Sequence, residues 1–236
     1  MLYVDFQPAL IDQVHDRLLS AIVDGTLASG RRLTQESVAA MLGVSRQPVS
    51  HALQVLKRRG LLTEHGKRGL QVAPIDSRRL RDLYQVREAL DGLAARLAAQ
   101  RMRSGDASAD ERGDAEAALA AGRKLGPRTA VARLIAADVA FHSAIHRLSG
   151  NRAVIETVAD QWPHFMRCMG LMLAVPGAQA RYWREHTAIL DAICGGRAEE
   201  AEELARGHTA SAGEETARRL DAEHERTPAP TRGGRP

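Results

Sequence analysis

Thr34–Leu53, TQESVAAMLGVSRQPVSHAL, decides the fold of the first part of the chain. Thr34 is a good N-cap, and Gln35 and Glu36 fill the first turn behind it. Val38, Ala39 and Leu42 then make a short apolar face. Gly43 breaks the helix and Val44 plugs the turn. Ser45 caps a second helix, with Pro48 at its third position, where the first-turn amides have no intrahelical partner to lose. Val49, Leu53 and Leu56 recur at helical spacing and point inward. Arg46, Gln47, Ser50 and His51 are left on the outer side, where they can reach a major groove. This is the pattern of a helix-turn-helix, although any small helical pair leaves some polar residues outside.

The residues that follow read as a wing. Lys57, Arg58 and Arg59 close the second helix with positive charge that suits its C-terminal dipole. Gly60 stops it. Leu61-Leu62-Thr63 and Leu70-Gln71-Val72 are strand candidates. Between them lies Glu64-His65-Gly66-Lys67-Arg68-Gly69, a glycine-bracketed basic loop. Placed beside a recognition helix, its tip can touch phosphates or enter a minor groove. His65, Gly66, Lys67 and Arg68 therefore join the candidate DNA contacts. Upstream, Leu10, Val14, Leu18, Ile22 and Val23 give an amphipathic first helix. Residues 25–32 connect it to the second, and Arg31 and Arg32 lie either near the DNA backbone or in a solvated turn.

The segments Gly25-Thr26-Leu27, Gly30-Arg31-Arg32-Leu33, Leu42-Gly43-Val44-Ser45-Arg46-Gln47-Pro48-Val49, Ala52-Leu53, Leu56 and Gly60-Leu61-Leu62 carry a resemblance. Together they make residues 7–74 similar to the winged-helix domain of the GntR family of bacterial transcription regulators. The resemblance implies operator DNA as a partner and Arg46 as a DNA-contacting arginine. The chain departs from the family at Ser50-His51, where Arg-Glu is usual.

At 236 residues, the chain fits two domains and a tail. The first spans 7–74, the second 78–225, and 226–236, RTPAPTRGGRP, has no apolar face and is expected to be disordered. Residues 1–74 hold 9 Lys+Arg against 6 Asp+Glu, a net +3, so the motif argues for DNA more strongly than the charge does. Two cysteines do not make a disulfide scaffold. Neither a charged-then-apolar leader nor an apolar run of about 18 residues is present, so a cytoplasmic protein with no membrane partner is expected.

Residues 78–225 read as about six helices, near 78–102, 107–123, 129–149, 151–174, 179–194 and 197–222. Leu80, Leu83, Val86, Leu90, Leu93 and Leu97 form the expected buried face of the first. Pro163 predicts a kink or local break in the fourth. The fold class is thus mainly α, a winged helix-turn-helix followed by an all-helical bundle. Leu83-Tyr84-Gln85-Val86-Arg87-Glu88-Ala89-Leu90, Asp138 with Phe141-His142, Gly150-Asn151, Glu185-His186 with residues 189–193, and His208 make this part similar to the FCD-type effector domain of one GntR subgroup.

Asp138 and His142 stand four apart and share a helix face. His186 comes from a later helix and His208 from the last. One carboxylate and three imidazoles suit Zn²⁺ or Ni²⁺, one ion per chain, better than oxygen-seeking Mg²⁺ or Ca²⁺. A chain with nine histidines also brings some together by chance. The FCD-type resemblance places its metal ligands on these same four residues, and it selects Asp138 over His146, which also sits four residues from His142. Arg87 is the candidate carboxylate partner of an effector, the alternative being a structural salt bridge. Asn151 is a second effector candidate, with helix capping as the simpler account.

These features predict a DNA-binding regulator that acts as a homodimer. By default from the resemblance, it is a repressor relieved by a small organic acid bound beside the metal. In an alternative reading the ion itself is the signal. A metal-dependent hydrolase is a third class, and an enzyme is not expected. No HExxH-like base accompanies the histidines, four protein ligands leave little open coordination, and a winged helix has no role in a small hydrolase.

Overall fold

The computed structural model describes residues 8–66, 69–126, 128–173, 175 and 177–226, so the Lys67-Arg68 wing tip and residues 227–236 of the expected tail lie outside the described residues, while Arg226, expected to begin that tail, ends a helix. The chain divides into two compact units, residues 1–75 and 76–236.

In the first unit, α1 (Pro8–Val23), α2 (Gln35–Leu42) and α3 (Arg46–Arg58) pack with a small antiparallel sheet. Thr34 caps α2 as expected, and the cap is reciprocal: Thr34 Oγ1 accepts from the Ser37 amide, while the Thr34 amide donates to Ser37 Oγ, both at 3.0 Å. Gly43 sits at φ +67°, the left-handed conformation that ends α2 and turns the chain into α3. Ser45 occupies the N-cap of α3 but makes no side-chain capping bond. Val14, Leu18 and Ile22 of α1, Val38 of α2 and Val49, Leu53 and Leu56 of α3 meet in one core, sealed by Leu61, Leu62 and Val72. Leu10, read from sequence as part of the inward face of α1, is exposed.

The sheet has one strand more than the sequence reading anticipated. Strands β2 (Leu62–His65) and β3 (Gly69–Val72) form the wing hairpin, and β1 (Arg32–Leu33) pairs with the other edge of β3. Arg32 lies opposite Gln71 and Leu33 opposite Leu70. A two-residue strand leaves no periodicity to read. Burial of Leu33 and its pairing with β3 make it, so what looked like a connection is partly ladder.

The second unit is a bundle of six helices among the described residues: α4 (Ser77–Ser104), α5 (Ala109–Arg123), α6 (Val131–Leu148), α7 (Arg152–Leu173), α8 (Ala178–Cys194) and α9 (Ala198–Arg226). Asp76 caps α4 by accepting from the Arg78 amide. Ser108 and Glu111 form a capping box at α5. Pro163 does not interrupt α7. Val158, Trp162, Phe165 and Cys168 are buried on both sides of it, and that packing keeps the helix continuous.

The buried face of α4 differs from the leucine stripe read from sequence. Leu80 is buried, but Leu83, Leu90, Leu93 and Leu97 are only half-buried and Val86 is exposed. The face turned inward carries Tyr84, Arg87, Asp91, Gly92 and Ala94, Ala95, Ala98 and Ala99. Small residues let α9 lie close against it. A Cβ at Gly92 would stand 2.4 Å from Arg206, and one at Gly213 would stand 2.6 Å from Tyr84. Leucine periodicity marks an apolar face, but the closest helix approach here is made by alanine and glycine.

Candidate metal centre and DNA-reading face

Three helices of the bundle bring the histidines together. Asp138 and His142 project from adjacent turns of α6, His186 from α8 and His208 from α9, and all four are buried. The ring nitrogens of His142, His186 and His208 include one atom each that lie within 4.8 Å of one another. His186 Nε2 is 3.1 Å from His208 Nε2. The Asp138 carboxylate reaches two of the rings, with Oδ1 3.6 Å from His186 Nε2 and Oδ2 3.8 Å from His142 Nε2. His142 Nε2 is buried without a hydrogen-bond partner among the described residues. An unpaired buried nitrogen is costly, and a shared cation satisfies it together with its neighbours.

Electrostatics suits the same use. Burial, reinforced by Arg87, holds His142 well below the ordinary imidazole range. Burial, reinforced by His208, does the same for His186. Both rings are therefore neutral at neutral pH, the form that ligates metals. Burial raises Asp138 above the usual carboxylate range, and the positive Arg87 works against that rise.

A second buried cluster adjoins the first. Asp91 of α4 receives Arg87 Nε at 3.1 Å, Thr209 Oγ1 at 2.8 Å and His146 Nε2 at 2.7 Å. Its Oδ2 also lies 3.6 Å from His142 Nδ1. Burial opposes ionisation of Asp91, but Arg87 and the two histidines outweigh it and hold the carboxyl far below its usual range. His146, expected either to support the ligands from behind or to lie on the surface, is thus a buried partner of Asp91. The sequence reading did not single out Asp91: its i,i+4 spacing marks only the pair with Arg87, and its contacts with His146, His142 and Thr209 come from other helices.

Arg87 makes the structural salt bridge considered for it, and it also borders a pocket. It is ion-paired with Asp91, and it lines a small pocket of about 30 Å³ together with Asp138, His142, His208, Tyr84 and Tyr182. Its guanidinium carbon lies 4.5 Å from the centre of the Trp162 ring and 5.0 Å from that of Phe165. Met169, Met172 and Leu173 give the cavity an apolar side. Asn151 does not line it. Its Oδ1 accepts from the amides of Ala153 and Val154, so it caps α7.

On the first unit, α3 shows an outward row of Gln47, Ser50, His51, Gln54 and Arg58, joined by Arg46 and Gln35 around one shallow surface groove. Gln47, His51, Gln54 and Arg58 are exposed. Ser50 is half-buried and receives Gln35 Nε2 at 3.1 Å. Arg46 Nη2 stands 3.1 Å from Glu36 on α2. Arg31 and Arg32 are exposed around β1, His65 is half-buried at the end of β2, and Gly66 is exposed in the turn after it.

Comparison with known proteins gives this geometry its context. Residues 82–211 match the FCD domain, and residues 10–72 match the bacterial regulatory proteins of the gntR family. The chain belongs to the GntR family. Among its curated relatives, a HTH-type transcriptional regulator in an unstable DNA locus of Streptomyces ambofaciens is 31% identical over 188 residues, 78% of this GntR-family chain and 75% of the relative. A probable D-xylose utilization operon transcriptional repressor of Paenarthrobacter nicotinovorans is 29% identical over 201 residues, 84% of this chain and 85% of that one. Of the solved structures, E. coli McbR/YncC superposes with a TM-score of 0.72 at 19% identity, covering 92% of this chain and 99% of that chain. A GntR regulator from Rhodococcus sp. RHA1 gives 0.69 at 24% identity, covering 87% and 96%. At such identities the structures speak for the fold alone. The GntR-family chain is a DNA-binding transcription regulator and not an enzyme, and a three-histidine metal-ligand cluster lies in its FCD domain. No described helix is long and apolar enough to cross a membrane.

Proposed function

We propose that this regulator controls operator binding through a divalent transition metal, Zn²⁺ or Ni²⁺, held one per chain by Asp138, His142, His186 and His208. The observation that carries the reading is the convergence of three buried imidazoles, two of them held neutral, beside one buried carboxylate. Three nitrogens and one oxygen favour borderline ions. The bound ion would supply a fixed positive charge and Lewis acidity inside the bundle. Asp138, His142, His186 and His208 tie α6, α8 and α9 together, and operator binding is by a homodimer with one winged helix per half-site.

The cavity favours a second reading, in which a small organic acid is the signal. Arg87, Asp138, His142 and His208 line one space, and Met169, Met172 and Leu173 give it an apolar side. A carboxylate group faces the polar end and its carbon chain the methionines.

Fluorescence anisotropy on operator DNA separates the two readings. Chelator-stripped protein is titrated with Zn²⁺ or Ni²⁺ at fixed salt, and a change in DNA affinity with metal supports the ion as signal. Metal that binds tightly without altering DNA affinity, followed by a response to small carboxylates, supports the second reading. A chain that takes up neither ion removes both.

A further inference from the structure

The three imidazoles are not held alike. Each presents Nε2 toward the others or toward Asp138. What stands behind each ring, at Nδ1, differs. His208 Nδ1 lies 2.7 Å from Glu185 Oε2, a short bond across the α8–α9 interface. His142 Nδ1 lies 3.6 Å from Asp91 Oδ2, beyond hydrogen-bond range. His186 Nδ1 is buried with no hydrogen-bond partner among the described residues. A carboxylate accepting at Nδ1 puts the proton there, leaves the Nε2 lone pair free to ligate, and fixes the plane of the ring. Among the described residues, only His208 of the three has such a partner at full hydrogen-bond distance.

We propose that Glu185 is the positioning residue of the metal centre, acting through His208: it sets the tautomer and orientation that turn Nε2 toward the ion, and metal affinity depends on it. This rests on the metal reading above. Glu185 is about one-third exposed, at 35% of its side-chain surface, so the determinant sits at the rim of the bundle while the nitrogen it directs is buried. Its other oxygen lies 3.8 Å from Arg181 Nε, a looser ion pair one turn back along α8. The acid next to a predicted metal ligand thus has a role of its own, which adjacency in sequence does not reveal.

The test is competition for Zn²⁺ between the full-length chain and a chromophoric chelator. The variants are Glu185→Ala, Glu185→Gln and, as a control for the ion pair, Arg181→Ala. Loss of an outer partner to a metal-bound histidine lowers affinity by roughly 10–100-fold. Glu185→Ala should show a loss of that size, and Glu185→Gln, whose amide oxygen still accepts from Nδ1, a smaller one. Arg181→Ala should stay within about twofold of wild type, since it leaves the bond to His208 in place. The d–d spectrum of the Co²⁺-loaded protein should change in Glu185→Ala and not in Arg181→Ala. Wild-type affinity in Glu185→Ala overturns the proposal. So does an equal loss in Arg181→Ala, which would trace the effect to the surface pair. A wild-type chain that binds no Zn²⁺ overturns the metal reading as well, so the two failures are distinguishable. Should Glu185→Ala fail to fold, Glu185→Gln carries the comparison, and wild-type affinity with an unchanged Co²⁺ spectrum there overturns the proposal.

Discussion

Arg46 stands on the outer face of α3 with its guanidinium 3.1 Å from Glu36, an exposed pair that holds the side chain near the groove-facing surface without anchoring it. Arg46→Ala should weaken operator binding by about 1–3 kcal/mol if the arginine reads a guanine edge. Ser50→Ala should do less, because the half-buried Ser50 hydroxyl, which accepts from Gln35, is neutral and makes no charge-assisted bidentate contact. Anisotropy titrations at one salt concentration measure both, and equal binding by wild type and Arg46→Ala would remove Arg46 from the interface. In the effector domain, His186→Ala should lower metal content. His146→Ala should keep one ion per chain yet lower the melting temperature, because it strips a 2.7 Å partner from buried Asp91. Elemental analysis with a melting curve checks the pair, and metal loss in His146→Ala would mean the ligand set is wrong. At this scale, the resemblance and the spacing made Asp138, His142, His186 and His208 legible. Asp91 was legible only as an acid one turn from Arg87, and its contacts with His146 and Thr209, like that of Glu185 with His208, are set by distance in space and not by spacing along the chain.

Among the elements, α5 is held by a compact charged corner. Glu111 accepts from Arg101 and from the Ser108 amide, and these contacts, Arg101 first, pull its carboxyl down to about 2 from an ordinary 4.5. A carboxyl depressed in the folded state stabilises it fully above pH 4.5, and that contribution is lost as pH falls through about 2. Glu111→Gln should therefore lower the melting temperature by a few degrees near neutral pH. The gap to wild type should close between pH 4.5 and 2. A gap independent of pH would assign the effect to packing. Opposite this corner, Trp183 fills the space where a Cβ at Gly122 would stand, 1.9 Å from the ring. The same indole lies edge-on to Phe141 and His186, so α5 helps seat the histidine layer without supplying a ligand. Helix number and most boundaries were readable from glycine, proline and capping residues. The inner face of α4 was not, since alanine is silent in a search for large apolar periodicity.

At the scale of the molecule, the proposed homodimer needs an apolar surface to bury, and the partly exposed leucine row of α4 is the candidate it predicts. Leu83, Leu90, Leu93 and Leu97 are half-buried, and Val86 is 46% exposed. A partly exposed apolar row along a long helix is a surface that an isologous dimer can cover. Light scattering at micromolar concentration should give twice the 25.6 kDa chain mass, and Val86→Glu should shift the distribution toward monomer. A wild-type mass equal to one chain would count against two-fold operator binding.

The four proposed ligands also bear on how the bundle comes apart. Asp138 and His208 stand 70 residues apart in the chain, and they come together only once α6, α8 and α9 have docked. Contacts of such long sequence separation form late on the way to the native state. An ion that binds the finished site and not the open chain therefore slows unfolding more than it speeds folding. Zinc should lengthen the lifetime of the folded effector domain in denaturant, so that the proposed centre would act as a kinetic lock on the bundle.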